Sequence, residues 1–151
     1  LSGVEWAVLS ACETGVGDVR AGQGVFGLRR AFQIAGAHTL IMSLWAVSDL
    51  AAAILVDCFY AKLLDGASKA DALRGAQRYL RHVPLGDLRK QWLSEAMRER
   101  LAAGDERVRA WLDELARRAD DTRPFAHPYY WGAFILQGDS GPLNWRPAKR
   151  A

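Results

Sequence analysis

Apolar runs and segments with helical periodicity alternate over the first third of the chain. Residues 4–11 are largely apolar, which is typical of a strand buried on both faces. Residues 23–35 carry apolar side chains at the spacing of one helix face, and Gly36 follows where a left-handed helix stop is expected. Residues 38–45 form a second apolar run. A strand, a helix and a strand with short connections form a right-handed unit, so the pattern predicts two parallel strands.

The following segment is predicted to be helical and packed. Ser48 and Asp49 are favourable N-cap residues for a helix over 50–64, and this helix is apolar on most sides. A second helix is predicted over 69–81 and is closed by Pro84. Both helices should therefore cover the predicted sheet.

Residues 86–120 differ in character, because charged side chains surround two apolar stripes. The stripes predict two amphipathic helices joined at Gly104-Asp105. Nine basic and nine acidic residues lie between positions 85 and 123. We interpret 86–123 as a solvated helical hairpin inserted into an α/β core, and docking of a partner is one function that such a surface could serve.

A third strand is predicted over 129–136, ended by Gly138-Asp139. Three strands with helices on both faces indicate half of a doubly wound α/β sheet, in one domain over 1–143 with a frayed tail at 144–151. The chain enters a buried-type strand almost at once, so we expect it to be a piece of a longer polypeptide. An uncovered apolar strand edge predicts that the isolated chain is unstable, oligomeric or prone to aggregate.

Composition excludes function classes but does not identify one. Half of the 151 residues are hydrophobic, enough for the core of one domain. The net charge is +3, and the arginines are interleaved with acids, which argues against nucleic-acid binding. Two cysteines without a signal sequence favour the reducing cytoplasm, and no apolar run is long enough to span a membrane. With three scattered histidines we expect no metal ion and no cofactor.

Cys12 is the main candidate for chemistry. It ends the first apolar run and is followed by the glycine-rich turn Glu13-Thr14-Gly15. A thiol at the carboxyl end of a parallel strand faces the crevice where open α/β sheets bind ligands. The alternative is a buried thiol that packs as a small apolar group, which is the commoner role of cysteine. The glycine-rich turn strengthens the case for a nucleophile, because a core thiol does not need such a loop, and both roles stay open at this point.

Six segments resemble the CHAT domain, the separase-like branch of the caspase-fold cysteine peptidases. They occur in the order of that family and cover nearly all of residues 4–139 outside the insertion. The similar segments are Val8–Gly15, Gly24–Gly36, Ser43–Asp49, Phe59-Tyr60 with Leu63 and Gly66, Ala72–Gln77, and His127–Phe134 with Gly138.

The resemblance implies a three-layer α/β/α caspase-like fold that is incomplete here, with this chain as its C-terminal half. It implies a Cys–His dyad in which Cys12 attacks the peptide carbonyl. The histidine of such a dyad lies about 50 residues before the cysteine, hence outside this chain. The implied partners are a protein or peptide substrate, the N-terminal half of the same domain, and TPR-type regulatory repeats. The chain alone should then be inactive.

The resemblance also implies residues that bind substrate. Asp49 matches the acidic position that receives a basic P1 residue, the residue before the cleaved bond; its alternative role is helix capping with Ser48. Glu13 would shape the rim of that pocket or pair with an arginine. Trp45 would line a subsite, or pack in the core. Cys58, on a packed helix, is expected to be structural.

The three histidines of the chain do not supply the missing base. His38 begins the second strand, at the opposite end of the sheet from Cys12, and His82 follows a helix. His127 returns to the active edge if the last strand runs antiparallel, but the second strand separates it from the first by about 10 Å. We expect it to pack beside the aromatic residues. An inactive CHAT domain that serves as a scaffold or interaction module is therefore the rival interpretation.

Overall fold

The computed structural model describes Val4, Trp6–Leu9 and residues 23–143. These residues form three strands and seven helices. In chain order they are β1 (Trp6–Leu9), α1 (Gln23–Ile34), β2 (Thr39–Ser43), α2 (Asp49–Leu64), α3 (Lys69–His82), α4 (Leu85–Gln91), α5 (Glu95–Ala102), α6 (Glu106–Arg117), α7 (Pro128–Trp131) and β3 (Phe134–Gly138).

The described strands form one mixed sheet in the order β1-β2-β3. Strands β1 and β2 are parallel, with Leu9 opposite Met42, and β3 runs antiparallel to β2, with Phe134 opposite Ser43. The predicted parallel pair is thus confirmed, and the last strand is antiparallel to it. Strands β1 and β2 therefore end, and β3 begins, at the same side of the sheet, which we call the carboxyl edge.

The core lies around β2, α2 and α3. All five residues of β2 are buried, which explains why its sequence is apolar without alternation. Helix α2 is apolar around most of its circumference and buries seven residues, among them Ile54, Leu55 and Phe59. Helix α3 is amphipathic and adds Leu73 and Leu80. The predicted bounds of both helices are accurate to one residue. Within the described ranges, no helix is long and apolar enough to cross a membrane.

The loop after β3 is attached to the start of α3 by a buried lysine. Lys69 is only 1% exposed, and its Nζ lies 2.9 Å from Oδ2 of Asp139. The backbone N–H groups of Lys69 and Ala70 donate to the carbonyls of Gly141 and Ser140. The Gly141 N–H and the Lys69 ammonium both stabilise the charged carboxylate and lower the pKa of Asp139. A buried ammonium requires such a partner, so this contact fixes the end of the sheet.

The predicted third strand is wrong over its first half. Residues 129–131 belong to the helix α7, and the strand begins at Phe134. Pro128 occupies the first turn of α7, where its fixed φ favours a helix and no N–H is needed. Nδ1 of His127 accepts a hydrogen bond from the Tyr129 N–H and caps the helix. These two residues override the strand preference of the aromatic residues that follow.

The prediction of two helices over 86–120 is also corrected. The structure has three helices there, because the chain turns at Trp92 and Leu93 and Ser94 caps a new helix by accepting from the Met97 N–H. Leu85 and Leu88 of α4 are fully buried and belong to the main core, so this part of the segment is not solvated. Helices α5 and α6 alone form the expected amphipathic hairpin, joined at Gly104, whose φ is +81°.

Candidate functional site at the carboxyl edge

The carboxyl edge is the described part of the fold that comes just before the nucleophile candidate in the sequence. Strand β1 ends there at Leu9, three positions before Cys12. Cys12 and Glu13 both lie outside the described residues. Their proposed roles therefore remain predictions, and the part of the site that the structure describes is built by the segments following β2 and preceding β3.

Asp49 is the first residue of α2, six positions after the end of β2. Ser48 occupies the N-cap position, but within the described first turn its hydroxyl accepts no capping hydrogen bond. Asp49 is exposed, and a carboxylate in the first turn interacts favourably with the helix dipole. An interaction with the helix dipole does not require a hydrogen bond from the carboxylate to the backbone of α2. This interaction is therefore compatible with a role of Asp49 in binding a ligand.

Asp49 lines a cavity of about 330 Å³. Three separate segments build its walls: the start of α2, the α5–α6 hairpin and helix α7. The lining residues are Ser48, Asp49 and Leu50 from the first segment, Leu101, Arg107, Val108 and Trp111 from the second, and Tyr129 and Tyr130 from the third. A carboxylate, an arginine and three aromatic rings thus share one concave surface, a mixture of apolar and polar groups that is usual for a ligand-binding site.

Trp45 fixes the α7 wall of this cavity. Its indole Nε1 donates to the Tyr129 carbonyl at 2.9 Å, and the two rings stack with centroids 6.4 Å apart. The Tyr129 hydroxyl in turn donates to the carbonyl of Ala46 at 2.6 Å. The Trp45 side chain is 39% exposed, so the alternative of a core tryptophan is wrong. Trp45 is not among the residues that line the cavity; it positions one of them.

The histidines have other partners. His127 is exposed and caps α7. His82 ends α3, and its Nδ1 lies 2.7 Å from the Arg78 carbonyl oxygen, as expected for a group at a helix C-terminus. His38 has an exposed side chain, and its backbone pairs with Val4 and Asp139. Each of the three histidines therefore has a position that the fold explains without catalysis.

Cys58 is a structural thiol. It lies half-buried on α2 against the core, and burial raises the pKa of its thiol despite the nearby Lys62 ammonium. A thiol with a raised pKa is a poor nucleophile at neutral pH. Among the described residues, no group of three or more histidine, cysteine or acidic side chains could hold a metal ion.

Sequence reasoning missed Tyr129 and Arg107 as site residues. The aromatic sequence predicts Tyr129 in a strand, although the pair His127-Pro128 is a recognisable start of a helix. Arg107 lies in the insertion, 58 positions after Asp49, and no local pattern relates the two residues. Only the packing of the insertion brings them to one cavity.

The fold and this edge define the class of protein. In this mixed α/β chain a cysteine follows the first described strand by three residues in the sequence, and an acidic residue follows the second strand. The sequence matches the CHAT domain over residues 1–139. The chain belongs to the CHAT domain family.

Two curated relatives are similar over most of this chain. It is 35% identical over 141 residues to the mouse protein Tetratricopeptide repeat protein 28 and 26% identical over 141 residues to the human protein of the same name. Each alignment covers 93% of this chain but only 4% of the relative, so the chain spans a small part of the curated relatives that it matches. No solved structure matches the chain.

Proposed function

We propose that this chain is the nucleophile-bearing part of a cysteine endopeptidase that cleaves proteins after a basic residue. The observation that carries the proposal is the position of Asp49, in a cavity beside the sheet edge at which β1 ends, three residues before Cys12 in the sequence. Membership of the CHAT family supports the peptidase class. The three-layer caspase-like arrangement, with the N-terminal half of the domain supplying further strands beside β1, is part of the proposal.

In this mechanism a histidine from outside the chain takes the proton of the Cys12 thiol. The thiolate attacks the peptide carbonyl, the amine leaves with a proton from that histidine, and water hydrolyses the thioester to release the acid. Backbone N–H groups beside Cys12 would stabilise the oxyanion. Because the described histidines have structural positions, the chain alone should be inactive.

The cavity suits a lysine or arginine side chain. The Asp49 carboxylate can accept two hydrogen bonds from the guanidinium of a substrate arginine. A neutral substrate side chain cannot reproduce this geometry. The rings of Tyr129 and Tyr130 can pack against the aliphatic stem and attract the cation. We propose Glu13 as part of the rim of this pocket, and Trp45 as the residue that positions Tyr129. TPR-type repeats in the same protein, as the names of the relatives suggest, would regulate access.

The test is hydrolysis of arginyl peptides by the complete domain, including its N-terminal half. Cys12→Ala should abolish cleavage, whereas Cys58→Ala should retain it, because only the first thiol is proposed to react. Asp49→Asn should lower kcat/KM for arginyl substrates by about 10- to 100-fold, since a charge-assisted hydrogen bond is lost. If Asp49 only stabilises the helix, this variant keeps its P1 preference and changes stability slightly.

An arginyl ketone that labels a cysteine provides a second readout. Labelling at Cys12 and not at Cys58 supports the peptidase. A complete domain that neither cleaves nor becomes labelled, and that still binds protein partners, supports the scaffold alternative.

A further inference from the structure

The α5–α6 hairpin is held against the sheet by a continuous row of aromatic rings. Trp111 contacts Phe125 with centroids 6.1 Å apart, and Phe125 contacts Tyr130 edge-on at 5.2 Å. Tyr130 meets Tyr129 at 5.5 Å, and Tyr129 stacks on Trp45. Because Phe125 is fully buried, the row anchors α6 firmly beside the carboxyl edge. The insertion is therefore a fixed wall of the cavity.

Helix α6 presents one cation to that cavity. Arg107 is its second residue, and Asp105 caps the helix by accepting from the N–H groups of Arg107 and Val108 at 2.9 and 3.3 Å. The backbone at Arg107 is thus fixed, while its side chain is exposed. Among the described carboxylates, none lies within 4.0 Å of its guanidinium, although neighbouring arginines such as Arg98 and Arg109 form ion pairs.

Charge complementarity indicates what the cavity accepts. Its lining includes the carboxylate of Asp49, from the start of α2, and the guanidinium of Arg107, from α6. A peptide with a basic side chain on Asp49 would place a neighbouring residue near Arg107. If that neighbouring residue is acidic, the Arg107 guanidinium attracts its side chain, and if it is basic, the guanidinium repels it. Val108 and Trp111 would cover the aliphatic part of the acidic side chain.

We propose that Arg107 and the wall around it form a second subsite, which selects peptides that carry an acidic residue close to the basic residue bound by Asp49. The inference rests on the proposed function for the role of Asp49. It assigns to the insertion a part in substrate selection, and it names the partner as a peptide with adjacent charges of opposite sign.

The experiment measures binding rather than cleavage. The full-length protein with Cys12→Ala is titrated against fluorescein-labelled hexapeptides that contain one arginine and a glutamate, glutamine or lysine at each flanking position in turn. Fluorescence anisotropy gives the Kd of each peptide. At the preferred position, glutamate should bind about fivefold more tightly than glutamine, as expected for a partly exposed ion pair, and the difference should shrink in high salt.

Substitutions at Arg107, compared with the same charge reversal at a neighbouring arginine, isolate the residue. Arg107→Glu should reverse the preference from glutamate to lysine, and Arg107→Gln should remove it. Arg109→Glu is the matched control, since Arg109 lies on the same helix, is exposed and does not line this cavity. It should keep the preference for glutamate.

Three results would overturn the proposal: an acidic preference that survives in Arg107→Gln, tighter binding of every arginyl peptide by that variant, or no peptide binding at all. The second would mean that Arg107 competes with the peptide for Asp49. If the protein with Cys12 intact hydrolyses none of the peptides, while binding still depends on Arg107, the peptidase proposal fails and the second subsite stands.

Discussion

Two pairs of helices in this chain differ in how much of their surface they bury. Seven residues of α2 and five of α3 are buried, whereas α5 buries one and α6 two. The first pair covers the sheet and specifies the fold. The second pair has one narrow apolar stripe, which is enough to hold it in place, and its remaining faces are charged. A substitution in the first pair should therefore change stability, and one in the second should change binding.

Removal of a large core side chain from the first pair of helices should cause the largest loss of stability. Phe59 is 1% exposed, so Phe59→Ala should lower the free energy of unfolding by about 3–5 kcal/mol. The matched change in the insertion is Met97→Ala, which removes a half-buried side chain and should cost about 1 kcal/mol or less. Urea unfolding of the complete domain measures both. Equal costs would show that the two pairs contribute to the fold alike.

The contact that attaches the end of α6 to α4 provides a second test of the difference between the two pairs of helices. The guanidinium of Arg89 donates to the carbonyls of Leu115, Ala116 and Arg118, which end α6, and pairs with Asp120. Arg89→Met should destabilise by about 1–3 kcal/mol, because these carbonyls lose a charged donor.

The region of the protein that Arg89→Met destabilises is as informative as the size of the stability loss. Hydrogen exchange should accelerate in α6 and stay slow in α2. The neighbouring change Lys90→Met, at an exposed residue, should leave both helices unaffected. Uniform acceleration in both helices would contradict the independence of the two pairs.

Acid should cause the smallest loss of stability, through a carboxylate in the loop after β3. The pKa of Asp139 is lower in the folded chain than in the unfolded one, so the stabilisation is complete above the unfolded value of about 4 and is lost as pH falls through the folded value. Asp139→Asn removes the partner of the buried Lys69 and should lower stability at pH 7. Urea midpoints at pH 7 and pH 3 should then differ less in this variant than in the wild type.

The exposed Asp121 provides the control for this measurement. Asp121→Asn should leave the pH dependence of the wild type unchanged. An unaltered pH dependence in Asp139→Asn would show that the contact with Lys69 does not contribute to acid sensitivity.

Much of the α/β unit could be predicted because its signals are local. The apolar runs at β1 and β2, the periodicity of α1 and the stop at Gly36, whose φ is +93°, each need only a few neighbouring residues. The right-handed connection then determines that the strands are parallel. The position of Asp49 after β2 follows from the same reasoning.

The remaining features depend on contacts that sequence does not display. Aromatic residues at 129–131 favour a strand by propensity, and the proline before them decides otherwise. The break between α4 and α5 occurs where Leu88 and Leu85 turn into the main core, which amphipathic spacing alone cannot reveal. The cavity itself needs three segments from distant parts of the chain, so its second charge, Arg107, could not be anticipated.

The pairing of β2 with β3 has a consequence for biosynthesis. Ser43 pairs with Phe134, 91 positions later, and the α7 wall of the cavity immediately precedes that strand. At a translation rate of about 5–20 residues per second, the ribosome needs about 5–18 seconds to synthesise the intervening chain. A nascent chain therefore carries Asp49 for several seconds before the cavity around it can form, and the recognition site is completed only near the end of this segment's synthesis.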